Sequence, residues 1–368
     1  MKASTPPQRP RDRFGKILAI VFVSFCFYNK TSFAQSKGCA VTDGVDWEAA
    51  FTACDAIIKA GSVPARELAV AHLNRGLVWN ARAWHSQRQQ GQTYWQYAID
   101  DFTAAIRFDP TLAVAYSNRG SLWTTRHGFP QFGAPDPGDF DHSMADFTDA
   151  IRVDPKFSLA YLLRGGLWME RYAGASLYGG SVDNNDITRA IADYSAAIRI
   201  DPLSGTLSSA KATIATAANL NAYAGRAGAH NMWATLLVPD NKTGALDSYA
   251  SAIADFGEAI RIEPKSPDNH DKRADVYSSR ASLVHDMNPE SADDAVIADY
   301  TAAIAELDEA IRLAPTGQRY AYRAQAYASR WDIRSTSGDS AAVKRDCAAA
   351  AASNPKGTSY ICDKVEAR

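Results

Sequence analysis

Seven histidines, five cysteines and 41 acidic side chains are the groups through which this 368-residue chain could do chemistry. His72, His85, His127, His142, His230, His270 and His285 are scattered and form no HExxH, the spacing that sets two zinc ligands and a base on one helix face. Gly165-Gly166 and Gly179-Gly180 lack the Lys-Ser/Thr ending of a phosphate loop, and no nucleophile elbow occurs. Asp183, Asn184, Asn185 and Asp186 have calcium-type oxygens but not the loop spacing that ends in a bidentate Glu, and before a helix they read as caps. Asp136, Asp139 and Asp141 read likewise. The sequence therefore points to no catalytic residue, no metal and no cofactor.

Cysteine placement is more informative. Beyond Cys26, the other four form two local pairs, Cys39 with Cys54 and Cys347 with Cys362, each fifteen residues apart and one at each end of the chain. Zinc sites need tighter ligand spacing. In an oxidising compartment paired cysteines read as disulfides, so Cys39–Cys54 and Cys347–Cys362 are expected.

The N-terminus supports export. Lys2, Arg9, Arg11, Arg13 and Lys16 precede an apolar run from Ile17 to Tyr28, and Ser32 and Ala34 place a signal cleavage after Ala34. That run is too short for a bilayer, which needs about 20 residues. Residues 1–34 carry six bases and one acid, so the mature chain has a net charge of −7. An acidic chain without a basic cluster argues against nucleic acid and anionic lipid as partners, and no later segment is apolar enough to span a membrane. The expected location is the periplasm or the exterior of a bacterial cell.

What positions the remaining residues is a repeat. DDFTAAIRFDP (100–110), ADFTDAIRVDP (145–155), ADYSAAIRIDP (192–202), ADFGEAIRIEP (254–264) and AELDEAIRLAP (305–315) are one helix-then-Pro phrase, with a degenerate copy at 344–355. A second phrase precedes each, as in LNRGLVW (73–79), SNRGSLW (117–123) and KRADVYS (272–278). Its small residues are Gly76, Gly120, Gly165, Ala227, Ala274 and Ala324, with Trp79, Trp123, Trp168, His230, Tyr277 and Tyr327 three residues on. In the second helices, Phe102, Phe147, Tyr194, Phe256, Leu307 and Cys347 make a large column. Ala105, Ala150, Ala197, Ala259, Ala310 and Ala350 make a small one. Small residues let helices approach and aromatics fill the space left, so the tryptophans are expected in packing contacts.

These columns resemble the tetratricopeptide repeat over about residues 65–357. The resemblance implies an all-α, right-handed helical-hairpin solenoid of about six extended repeats. A capping segment and half-repeat at 35–64 would lead, and a tail at 358–368 would close. One departure stands out: each repeat has roughly 7 to 17 more residues between its helices than the family's spacing. HGFPQFGAPDPGD (127–139) and LYGGSVDNND (177–186) read as loops on one edge, a place for binding.

Two charged columns accompany the core. Arg75, Arg119, Arg164, Arg226, Arg273 and Arg323 stand before the small residues, and Asp101, Asp146, Asp193, Asp255, Glu306 and Asp346 before the large ones. Their recurrence in every repeat points to pairing within each hairpin rather than to a ligand.

In the resembled family the first helices line a concave groove. That implies contacts at Leu73, Asn74, Leu77, Ser117, Asn118, Ser121, Leu162, Leu163, Asp271, Lys272 and Asp275. Leu73, Leu77, Leu159 and Leu163 stand where a clamp for C-terminal carboxylates would need basic and amide groups. The expected function is therefore a non-catalytic scaffold for a protein or peptide, with self-association as the alternative and an enzyme built on the loops behind it.

Overall fold

The structure, a computed structural model, describes residues 38–40, 46–128, 136, 138–178, 182–201, 209–289, 293–334, 337–353 and 362. The expected signal peptide with its cleavage site, the loop stretches 129–135 and 179–181, and the tail apart from Cys362 lie outside them.

All regular structure among the described residues is helical. In chain order the helices are α1 (Trp47–Ala60), α2 (Ala65–His85), α3 (Arg88–Phe108), α4 (Ala113–Gly128), α5 (Asp139–Val153), α6 (Ser158–Tyr178) and α7 (Asn185–Ile200). They continue as α8 (Ser209–Leu237), α9 (Lys242–Ile262), α10 (Pro267–Met287), α11 (Asp293–Leu313), α12 (Gly317–Arg334) and α13 (Ser337–Ser353). Local chemistry marks the ends. Asp46 accepts from the Glu48 and Ala49 amides at the start of α1, Gly61 ends α1 in the left-handed region, and Asn241 caps α9. After α3 and α5 the Asp-Pro turns close in the same way. The carboxylates of Asp109 and Asp154 accept from the amides two residues on, each at 3.0 Å.

The chain divides into two compact units, 1–170 with 196–218, and 171–195 with 219–368. Within the first, consecutive helices α1 to α5 pack on one another; within the second, α9 to α13 do. Each stack buries apolar side chains between its helices. In the first unit Ala50, Leu73, Phe102 and Leu122 join α1 to α4 in one cluster; in the second Ala227, Tyr249, Phe256 and Val276 join α8, α9 and α10. Gly76 and Gly120 show why the small column exists. A Cβ at either would stand 2.8 Å from Cε1 of Phe102 or Phe147, which leaves no room for any side chain. Trp79 and Trp123 are partly buried against the same core.

In the first repeat the added length is helix. α2 and α3 have 21 residues each, and only Ser86 and Gln87 separate them. That first hairpin is thus taller than the family spacing would give, rather than looped.

Candidate functional site

The Arg and acid columns form rungs inside the hairpins, four of them bidentate. Arg75 Nε and Nη2 donate to Asp101 at 2.9 Å each, Arg119 to Asp146 at 3.0 and 2.7 Å, and Arg226 to Asp255 at 2.8 and 2.7 Å. Arg323 reaches Asp346 at 2.7 and 2.8 Å, and Arg273 is bonded to Glu306. The acids are almost out of water, with Asp146 4% and Asp346 0% exposed. Burial raises the Asp146 carboxyl above its usual range even against the opposing Arg119 bond. His72 and His270 add imidazole contacts to the Asp101 and Glu306 rungs at 2.7 and 2.6 Å.

The third guanidinium nitrogen reaches the preceding repeat. Nη1 of Arg75 donates to Asp55 at 2.8 Å, that of Arg119 to Thr103 at 3.0 Å, and that of Arg164 to Thr148 at 3.3 Å. Arg226 does so with Ser195 at 3.1 Å and Arg323 with Asp308 at 2.6 Å. These acceptors all follow the large column directly, except Asp55 on the leading helix. For Arg273 that position is Gly257, which faces Nη1 and offers no side-chain acceptor; on the rung itself Arg273 bonds Glu306 through Nη2 alone, and its Nε is buried without a hydrogen-bond partner. One arginine therefore locks both the hairpin and its stacking.

A second set of rungs lies seven residues farther out, and the sequence reading missed it. Arg126 pairs with Asp139, Arg171 with Asp186, Arg280 with Asp299 at 2.8 and 2.6 Å, and Arg330 with Asp339 at 2.9 and 2.6 Å. Arg82 takes Glu48 of α1 instead. The arginines also cover the aromatic column: Arg126 lies 4.8 Å from the Trp95 ring and 5.1 Å from Trp123, and Arg82 lies 4.8 Å from Trp79. The signal was present as Arg at +7 from Arg75, Arg119, Arg164, Arg273 and Arg323. Asp139 and Asp186, considered above for calcium and capping, are these outer acids. Asp183 keeps the capping role and accepts from the Asn185 amide at 3.0 Å.

The expected disulfides are formed, with Sγ–Sγ distances of 2.08 Å for Cys39–Cys54 and 2.11 Å for Cys347–Cys362. The expected groove contacts separate into two groups. Leu73, Asn74, Leu77, Ser117, Asn118, Ser121 and Leu162 are buried. Asn74 holds the Cys39 carbonyl at 2.7 Å, Asn118 donates back to Val114 at 2.8 Å and Ser121 to Ser117 at 2.8 Å. Leu163, Asp271, Lys272 and Asp275 keep exposed surface.

Two other carboxyls stand out. Burial pushes Glu170 on α6 up to about 7, and among the described residues it has no hydrogen bond or ion pair. Asp275 is likewise raised by burial, against a 3.4 Å bond from Asn231. Acid–base catalysis needs a perturbed pair within reach of one reacting atom, and neither carboxyl has such a partner among the described residues. Those residues also contain no cluster of three metal-type ligands, and no helix among them is long and apolar enough to cross a membrane.

No protein-family model matches the chain, and no curated protein matches it either. Solved structures do. A MamA protein is 18% identical over 67% of this chain and 94% of its own, with a TM-score of 0.43. A tetratricopeptide repeat protein from Parabacteroides merdae is 14% identical over 96% and 97%, with a TM-score of 0.41. PilF of Pseudomonas aeruginosa is 12% identical over 82% and 98%, with a TM-score of 0.46. What the chain's own columns and helices establish is the fold class: the described residues build an all-α set of packed helical hairpins, and their columns resemble those of tetratricopeptide repeats.

Proposed function

We propose that this chain is a non-catalytic scaffold of the bacterial cell envelope that holds a protein or peptide on the solvent-facing sides of first helices within its units. The observation that carries the reading is the use the fold makes of its charges. Recurring acids and arginines are consumed in rungs, so they are structural, and the surface that varies between repeats is the first-helix strip. The proposed contacts are Leu163 in the first unit and, by themselves in the second, Asp271, Lys272 and Asp275. The charged, apolar N-terminal segment and two disulfides support an exported, oxidising location.

The test is capture of the epitope-tagged full chain from envelope fractions after crosslinking. Leu163→Arg and Lys272→Glu should each lose a specific partner, while Arg152→Glu on the outer face of α5 should keep it. Equal capture by all three variants would overturn the proposed face. Recovery of the chain in the cytoplasm with four free thiols would overturn the location.

A further inference from the structure

We infer that the two disulfides are redox switches for the outermost helices of the two units. Each supplies bulk that the large column lacks there, so α1 and α13 are seated while the bonds are formed and loosen when a dithiol reduces them.

Register fixes the equivalence of the two ends. Arg75 Nη1 donates to Asp55 on α1 as Arg119 does to Thr103, Arg226 to Ser195 and Arg323 to Asp308. Asp55 is therefore the acceptor on the leading helix, and Cys54, one residue before it, falls in line with Phe102, Tyr194 and Leu307. Cys347 holds that column in α13. The two helices whose large-column residue is a cysteine are thus the outermost ones among the described residues. Both cysteines are bonded, Cys54 to Cys39 and Cys347 to Cys362.

Farther in, a ring fills this place. Phe102 and Phe147 lie so close to Gly76 and Gly120 that no Cβ fits between them. A thiol is much smaller than a ring and by itself leaves a void. The bonded partner fills it. Cys39, 1% exposed, packs with Cys54 and Ala71, and Cys362 joins the cluster of Cys347, Ala324 and Val343. On α1 the segment 38–40 takes the side that a first helix takes in the other hairpins. A Cβ at Gly38 would lie 3.5 Å from Ala53, which stands where the other second helices carry the rung acid. Among the described residues, that segment has one further tie, the 2.7 Å bond from Asn74 Nδ2 to the Cys39 carbonyl. Such a segment stays ordered only while it is held. Reduction cuts the covalent tie: a dithiol gives two electrons and two protons to the S–S bond, leaves two protein thiols and closes to its own cyclic disulfide. All four sulfurs belong to buried residues, so attack follows local opening and the switch is slow.

The test is hydrogen–deuterium exchange of the full chain, oxidised and after long incubation with excess dithiothreitol, with the freed thiols counted. Exchange in α1 and α13 should quicken by about a hundredfold, the chain-entropy value for a loop of about fifteen residues written as a rate ratio. Exchange in α4, α5 and α9 should stay as it was. A second arm uses Cys347→Leu with Cys362→Ala, which refills the column with the residue type of Leu307 and removes the bond. Its α13 should stay protected with and without dithiothreitol, and circular dichroism checks that it folds. Freed thiols with unchanged exchange in α1 and α13 overturn the switch. So does equal quickening in every helix, which would make the bonds general staples. An α13 that exchanges in the Leu variant as fast as in the reduced natural chain overturns the assignment of column bulk to the disulfide.

Discussion

Removing a carboxylate from an inner rung should be far more damaging than removing one from the surface of the same helix. Asp146 is buried under a bidentate Arg119, whereas Asp149, three residues on, pairs with Arg152 in solvent. Asp146→Asn leaves a half-buried guanidinium without its anion and should lower unfolding free energy by about 3 kcal/mol, at the lower end for a broken buried pair. Asp149→Asn should change it by less than about 0.5 kcal/mol. Urea denaturation of both variants checks this, and equal effects would contradict it. Glu170 offers a separate test through pH. Its folded value, about 7, lies above its ordinary value of 4.5. The native state therefore holds the proton more tightly, and its contribution is complete below about pH 4.5 and is lost as pH rises through 7. Glu170→Gln should gain on the natural protein over that window by up to about 3 kcal/mol, taking one pKa unit as about 1.4 kcal/mol. A stability difference that stays flat with pH would contradict it.

Elements show how far sequence carries. The small and aromatic columns were legible because close helix approach tolerates few residue types. Gly76 and Gly120 face Phe102 and Phe147 at distances that admit no side chain. The inner rungs were legible because they flank those columns. The outer rungs were not, because they stand in the added residues, where no family spacing says which side chains of the two helices meet; Arg126 faces Asp139 and Arg330 faces Asp339 only once the helix ends are placed. The groove was least legible. Ser117 and Asn118 are types equally at home in a core or on a surface, and only helix rotation decides; here both are buried. The interrupted column at Gly257 gives a prediction at this scale. Gly257→Ser supplies the missing acceptor for Arg273 and removes a helix-interior glycine. It should raise stability by about 1 kcal/mol, since the contact at 3.3 Å falls on the movable end of Arg273. A lower melting temperature for Gly257→Ser would contradict this.

For the whole molecule, repeat stacks draw stability from each unit and from its neighbours, so the ends are the weak points. Both disulfides lie at ends. Cys347 occupies the large column of the final hairpin, and Cys362 joins its buried cluster. Replacing Cys347 and Cys362 together with Ser should cost up to about 3 kcal/mol in that hairpin, the chain-entropy value for a loop of about fifteen residues. Amide exchange in α12 and α13 should quicken, while α2 to α5 keep their protection. The same neighbour coupling gives the most direct test of the account, which holds that each arginine rung fastens its hairpin and also the stacking on the one before. Hydrogen–deuterium exchange of the full chain, with and without Asp146→Asn, measures that. Protection should fall in α4 and α5 and, through the displaced Arg119–Thr103 contact, in α3 as well. Loss confined to α5, with α3 and α4 unchanged, would contradict it.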